Sequence, residues 1–152
     1  MSRQRILIEH QVAGRVPEVF AGFTKELFDH LTPAFPPAKL LRYDGNQVGD
    51  EVHIRLGLPP VAVTWVSVIT KHEAGKREAY FVDEGVKLPP PLTFWRHKHL
   101  LVQTDAETVS ILEDITFATG NKLTSALMYP VLYAQFAARG PLYKSYFTNP
   151  QR

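Results

Sequence analysis

The chain opens on an alternation. In RQRILIEHQVA, Ile6, Ile8, His10 and Val12 share one side and largely polar residues take the other, the period of a half-buried strand. The next stretch, GRVPEVFAGFTKELFDHL, changes period. Val16, Val19, Phe20, Phe23, Leu27 and Phe28 recur near helical spacing, and Pro17 sits near the start, where its missing N–H costs nothing. Thr24 can begin a new helix, so the stretch divides into two short ones. TPAFPPAK, with three prolines, reads as a connection.

Period two then returns. AKLLRYDG runs into a turn. GDEVHIRL alternates Val52, Ile54 and Leu56 against Glu51, His53 and Arg55. PPVAVTWVSVITKHEAG is rich in β-branched residues, and KREAYFVDEG follows it. LTFWRHKHLLVQT and ETVSILEDITFAT form a last hairpin around DAE. Pro59–Pro60 and Pro89–Pro91 fall between strands, where proline is tolerated. After Gly120 the texture is helical again. Leu123, Leu127, Val131, Ala134 and Ala138 run along one side, flanked by Met128, Leu132, Gln135, Phe136 and Arg139. Pro130 predicts a kink, and Gly140–Pro141 a break or bend. The order is strand, helix pair, about six strands and a long C-terminal helix over roughly Leu123 to Arg139. An antiparallel meander has one face to cover, and one long helix is available to cover it. The expectation is an α+β fold in which a curved six- to seven-stranded antiparallel sheet wraps that helix.

Composition narrows the function classes. At 152 residues the chain fits one domain, 1–152, long enough to bury a core. Lys and Arg number 17 against 15 Asp and Glu, a net charge of +2, and no basic block exists, so nucleic acid is not an expected partner. There is no cysteine, which excludes disulfides, thiolate catalysis and Cys-ligated metal sites. MSRQRILIEH meets Glu9 and His10 too early for a signal-peptide core. No apolar run approaches the roughly 20 residues of a membrane span. A cytoplasmic monomer or homodimer is the default expectation.

Several short patterns recur in order along the chain. Trp65 stands in VAVTWVSVIT, Phe81 and Asp83 in YFVDEG, and Trp95, His97 and His99 in FWRHKH. Glu113 or Asp114 stands in SILEDITF, and Arg139 late in the last helix. Together they resemble the START-like, or Bet v 1-like, helix-grip superfamily, and within it the bacterial SRPBCC branch similar to polyketide cyclases and dehydrases. That branch carries a P-x-x-W strand, F-x-D, a Gly-Pro-Phe turn and a W-x-H-x-H strand. Pro90, Pro91 and Leu92 replace the Gly-Pro-Phe turn here. The resemblance covers nearly the whole chain and implies the helix-grip fold with a cavity between sheet and helix. The superfamily hosts carriers, sensors and enzymes, so no reaction is implied.

The two histidines carry the chemistry. Trp95, His97, His99 and Leu101 share one strand face. Should Asp105-Ala106-Glu107 form a three-residue loop, His99 faces Glu113, His97 faces Ile115 and Trp95 faces Phe117. The Trp/His face is then continuous with Val109, Ile111, Ile115 and Phe117. A two-residue loop flips every partner on the final strand and mixes polar with apolar groups, so the first register is preferred. His10 shares parity with Ile8 and Val12 and is expected beside Glu113. Four ionisable groups among Trp and Phe are costly unless paired or hydrated. They can be a satisfied core cluster, the polar end of a ligand pocket or a metal site. A cupin-type site would place Glu about four residues after His99, and only Asp105 follows at a distance, so no metal and no cofactor are expected. Arg139 either caps the last helical carbonyls or reaches the cavity mouth. RYDGNQVGD reads as a hairpin turn, and no Gly-x-Ser-x-Gly, Walker or dinucleotide fingerprint occurs.

The resulting expectation is a protein that binds a small hydrophobic or amphipathic molecule. Trp65, Trp95, Phe117, Met128, Leu132 and Phe136 would form the wall. His97, His99 and Glu113, with His10 and Arg139, would form the polar end. A cyclase- or dehydratase-type enzyme using His97 or His99 with Glu113 for acid–base work is the alternative. An interaction module with a filled core is the third.

Overall fold

The computed structural model describes residues 3–32 and 37–148. Pro33 to Pro36 of the proline-rich connection lie outside the described residues. The elements are β1 (Gln4–Ala13), α1 (Val16–Ala21), α2 (Lys25–Leu31), β2 (Ala38–Tyr43), β3 (Glu51–Leu56), β4 (Val63–Glu73), β5 (Glu78–Lys87), β6 (Leu92–Asp105), β7 (Thr108–Thr119), α3 (Lys122–Ala137) and α4 (Arg139–Thr148). The strands form one antiparallel sheet in the order β1-β7-β6-β5-β4-β3-β2. Register shifts interrupt β2–β3, β4–β5 and β6–β7. Each bulge adds local twist, and the sheet curls around its concave face.

The β6–β7 register is the one that separates apolar from polar faces: His99 opposite Glu113, His97 opposite Ile115, Trp95 opposite Phe117. The loop that sets it differs from expectation. Asp105 pairs with Thr108, leaving a two-residue turn at Ala106-Glu107, and the ladder shifts between Gln103 and Asp105. One extra residue in β6 restores the parity that a plain two-residue turn would have flipped. Asp105 also accepts a hydrogen bond from the Glu107 N–H at 2.9 Å, closing the turn without glycine.

Thr24 takes the N-cap position of α2, without a side-chain capping bond. RYDGNQVGD is a turn, with Gly45 and Gly49 at φ of 140° and 96°, a region glycine enters without penalty. The long C-terminal helix is two helices. α3 runs through Pro130 unbroken. Ala126, whose carbonyl loses its partner, is solvent-exposed like Pro130, so water can serve it. The break comes at Ala138, and Gly140 and Pro141 fall in the first turn of α4, where a missing N–H is harmless.

The face of α3 turned to the sheet is the flank that holds the expected wall residues, not the Leu123–Leu127–Val131 side. Leu123, Leu127 and Val131 are 56–70% exposed. Leu132 is buried, with Met128, Tyr129 and Phe136 partly so. Apart from Lys122 the helix is uncharged, so its sequence marks no polar side. The core forms two clusters. One lies under α1, α2 and α4, around Phe23, Leu27, Phe81 and Tyr143. The other lies under α3, around Ile6, Trp95, Phe117 and Leu132.

Candidate functional site: a polar end on an apolar cavity

A cavity of about 230 Å³ opens along the concave face of the sheet, with α2 and the α3–α4 junction on its other sides. Leu40, Ile54, Trp65, Trp95, Leu132 and Phe136 are among its apolar walls. Asp83, His97, His99 and Arg139 also line it. Of the residues expected at the site, Trp65, Trp95, His97, His99, Leu132, Phe136 and Arg139 border this space. Glu113, Phe117, Met128 and His10 do not. Phe117 is fully buried in the core under α3, where Met128 packs against it. Glu113 and His10 stand behind the histidines.

β6 aims Trp95, His97 and His99 inward by simple alternation, and all are buried. The two imidazoles stack with centroids 3.7 Å apart at 25°, and Phe81 stacks on His99 at 4.2 Å. Each imidazole has a carboxylate. His97 Nε2–H donates to Glu113 Oε1 at 3.0 Å. His99 Nε2–H donates to Asp83 Oδ2 at 2.7 Å. Because an ionised carboxylate only accepts, those nitrogens carry the protons. Glu113 was expected as the partner of His99. It faces His99 across the ladder, but its oxygen stays 3.9 Å from His99 Nδ1. Asp83, opposite His97 on β5, reaches diagonally to His99 instead.

Behind this pair Arg139 donates to both oxygens of Glu113, at 3.4 and 3.1 Å, and Tyr143 Oη–H donates to Oε2 at 3.3 Å. The Arg139 guanidinium lies 4.4 Å from the Phe136 ring centroid. It thus turns inward to a carboxylate rather than onto the helical carbonyls. His10 Nε2 lies 3.9 Å from Glu113 Oε2 and, like His99 Nδ1, is buried without a hydrogen-bond partner.

Burial works against the Glu113 charge, but Arg139 and the His97 hydrogen bond outweigh it and hold the carboxyl well below the usual range. Burial likewise opposes ionisation of Asp83, and the hydrogen bond from His99 reverses the balance. For His99 burial dominates, aided by neighbouring His97, and pushes its pKa down to about 4 against the pull of Asp83. Burial also lowers His10. At neutral pH the site therefore holds two carboxylates, one guanidinium and a neutral His99. Asp83, His97 and His99 also offer metal-ligand atoms that lie within 4.8 Å of one another.

Two site residues had no place in the sequence expectation. Asp83 appeared only as part of a motif, although its parity with Phe81 puts both on one face of β5. Tyr143 lies beyond the helix break, where the periodicity of α3 no longer predicts a face.

No protein-family model and no curated protein matches the sequence. The structure has clear likenesses. The ZhuI aromatase/cyclase of Streptomyces sp. R1128 superposes with a TM-score of 0.74 at 13% identity, over 99% of this chain and 97% of that one. A point mutant of norcoclaurine synthase from Thalictrum flavum, in complex with a transition-state analogue, gives 0.73 at 12% identity, over 99% and 98%. XoxI from Bacillus cereus gives 0.67 at 16% identity, over 100% and 99%. Likeness at such identities speaks for the fold. With seven antiparallel strands curled around a bent C-terminal helix and two short helices after β1, the chain has the same helix-grip fold as these structures.

Proposed function

We propose that this protein binds a small, largely apolar molecule carrying one hydrogen-bonding group, with the apolar body against Trp65, Trp95 and Leu132 and the polar group toward Asp83, His97, His99 and Arg139. The observation that carries the reading is segregation. Asp83, His97, His99 and Arg139 are linked to one another directly or through Glu113, and the rest of the cavity lining is mainly apolar, the usual division between affinity and orientation in a ligand site. A carrier or sensor needs no more than this. Acid–base catalysis of the cyclase or dehydratase type is the second reading. It is favoured by the two aligned imidazole–carboxylate pairs at 3.0 and 2.7 Å, the geometry by which a carboxylate orients a proton-transferring histidine.

Native mass spectrometry of the purified protein tests the first reading, followed by calorimetry with the molecule it carries. His99→Leu keeps most of the volume and removes the polar partner, so affinity falls by about 1–3 kcal/mol. The same change removes the His99 donor from Asp83, which keeps its hydrogen bond to Trp95, and lowers stability. Weakened folding with unchanged affinity would reduce the histidines to a core device. Failure of any apolar compound to bind would end the reading. Turnover of the bound molecule would select the second.

A further inference from the structure

Asp83, His97 and His99 converge in a way that ligand orientation alone does not require. Asp83 Oδ2 lies 2.7 Å from His99 Nε2 and 4.0 Å from His97 Nδ1. Two donors on one ion, each at roughly 2.0–2.2 Å, sit about 3 Å apart, a value these two separations bracket. The set is two imidazoles and one carboxylate, and all three residues line the cavity. Such a set holds a first-row divalent ion and leaves positions open to a bound molecule.

The atoms facing away from that point support the same assignment. A metal-bound imidazole ordinarily donates its other N–H to a carboxylate or carbonyl. His97 already does so, through Nε2–H to Glu113, which leaves Nδ1 as the nitrogen turned to Asp83. His99 is only half arranged. With its proton on Nε2, Nδ1 is a bare lone pair, buried, unpartnered and 3.9 Å from Glu113 Oε1. Two acceptors face each other with no proton between them. A cation on Nε2 moves that proton to Nδ1, where it faces Glu113 as a donor. The orphaned atom then gains a partner. The charges point the same way: Arg139 pairs with Glu113, and among the described ion pairs Asp83 meets only the two imidazoles.

We propose that Asp83, His97 and His99 bind one divalent first-row transition-metal ion, of zinc or ferrous type, through Oδ2, Nδ1 and Nε2. Glu113 orients both imidazoles from behind, and the open coordination positions face the cavity. Binding turns the stacked ring planes apart and draws His97 Nδ1 toward Asp83. Along the chain the missing ligand was sought downstream of His99; the fold supplies it from β5.

The test is titration of chelator-stripped protein with Co²⁺, followed by its visible d–d absorption, and with Zn²⁺ by calorimetry. One equivalent saturates the wild type. Asp83→Asn and His99→Gln weaken binding by at least roughly tenfold, and Glu113→Gln by about 10–100-fold, as loss of an orienting carboxylate does. His53→Gln, which alters the β3 histidine paired with Glu51, leaves it unchanged. Should the buried variants not fold, the wild type still decides: the cobalt form shows hyperfine-shifted N–H resonances from His97 and His99. No saturable binding, equal affinity in the variants, or shifted resonances from other histidines would each overturn the proposal. Binding of the apolar molecule to metal-free protein is measured separately, so this inference and the ligand-binding reading fail on different data.

Discussion

At the scale of single residues, two arginine–carboxylate pairs, one on the surface and one buried, obey different physics. Arg5 meets Asp114 in a two-point contact at 2.9 and 3.0 Å on the outer face of β1–β7, with the arginine side chain 63% exposed. Such pairs contribute about 0–1 kcal/mol, because water and salt screen them. Arg139 meets Glu113 where the carboxylate has no exposure. Removing one partner of a buried pair leaves an uncompensated charge and costs about 3–5 kcal/mol. Arg139→Met is therefore expected to lower the urea midpoint strongly, and Arg5→Met hardly at all. Similar losses for the two variants would show that Glu113 reaches water or protonates without penalty.

At the scale of elements, the entry into α1 is held from a distance. Its N-cap residue, Arg15, makes no side-chain capping bond. The Val16 N–H instead donates to Gln103 Oε1 at 2.9 Å, from β6. The Gln103 amide donates in turn to the carbonyls of Gly14, Asp105 and Thr108. One side chain thus ties the helix start to the β6–β7 turn, beside the bulge that fixes the register of the histidines. Gln103→Leu leaves buried backbone groups unmatched and should cost about 2–3 kcal/mol. Thr24→Ala, at an N-cap whose hydroxyl makes no capping bond, should cost little, against about 1 kcal/mol for a bonded cap. Chemical denaturation of both variants checks the ranking, and a reversal would place the anchor of these helices elsewhere.

At the scale of the molecule, the sheet, α2 and the two C-terminal helices enclose space that no side chain fills. An unfilled apolar void loses stability in proportion to its volume, at roughly 24 cal/mol per Å³ in engineered cores. This cavity, at about 230 Å³, is open and has Asp83, His97, His99 and Arg139 on its lining, so water enters it and the deficit is smaller than for a dry void of that size. A bound apolar molecule stabilises by displacing water from the apolar walls. Ile54, on β3, borders that space. Ile54→Trp should therefore keep the melting temperature of the empty protein or raise it, and abolish co-purification of the bound molecule. Unchanged loading would mean that the molecule sits elsewhere.

How much of this was legible along the chain depends on the range of the forces involved. Strands and helices were readable because period two and the 3.6-residue period are local properties. The β6–β7 pairing was readable because a single parity separates Ile111, Ile115 and Phe117 from Thr116 and Asp114, and this sent Trp95, His97 and His99 inward. The loop was misjudged because a turn of two residues plus one bulged residue and a turn of three give the same ladder. Asp83 was hidden because its place beside His99 depends on the β5–β6 register, set through the Leu88–Pro91 connection rather than by a tight turn. The inward face of α3 was legible through the wall residues Met128, Leu132 and Phe136 and not through a polar opposite side, because the helix is almost uncharged. Tyr143 lay past a break that ends the phase of α3. The sequence by itself determined the elements and the inward histidines, since alternation and solvent exclusion act residue by residue. Tertiary structure alone decided which carboxylate each histidine meets and where empty space remains, because both follow from how separate elements pack.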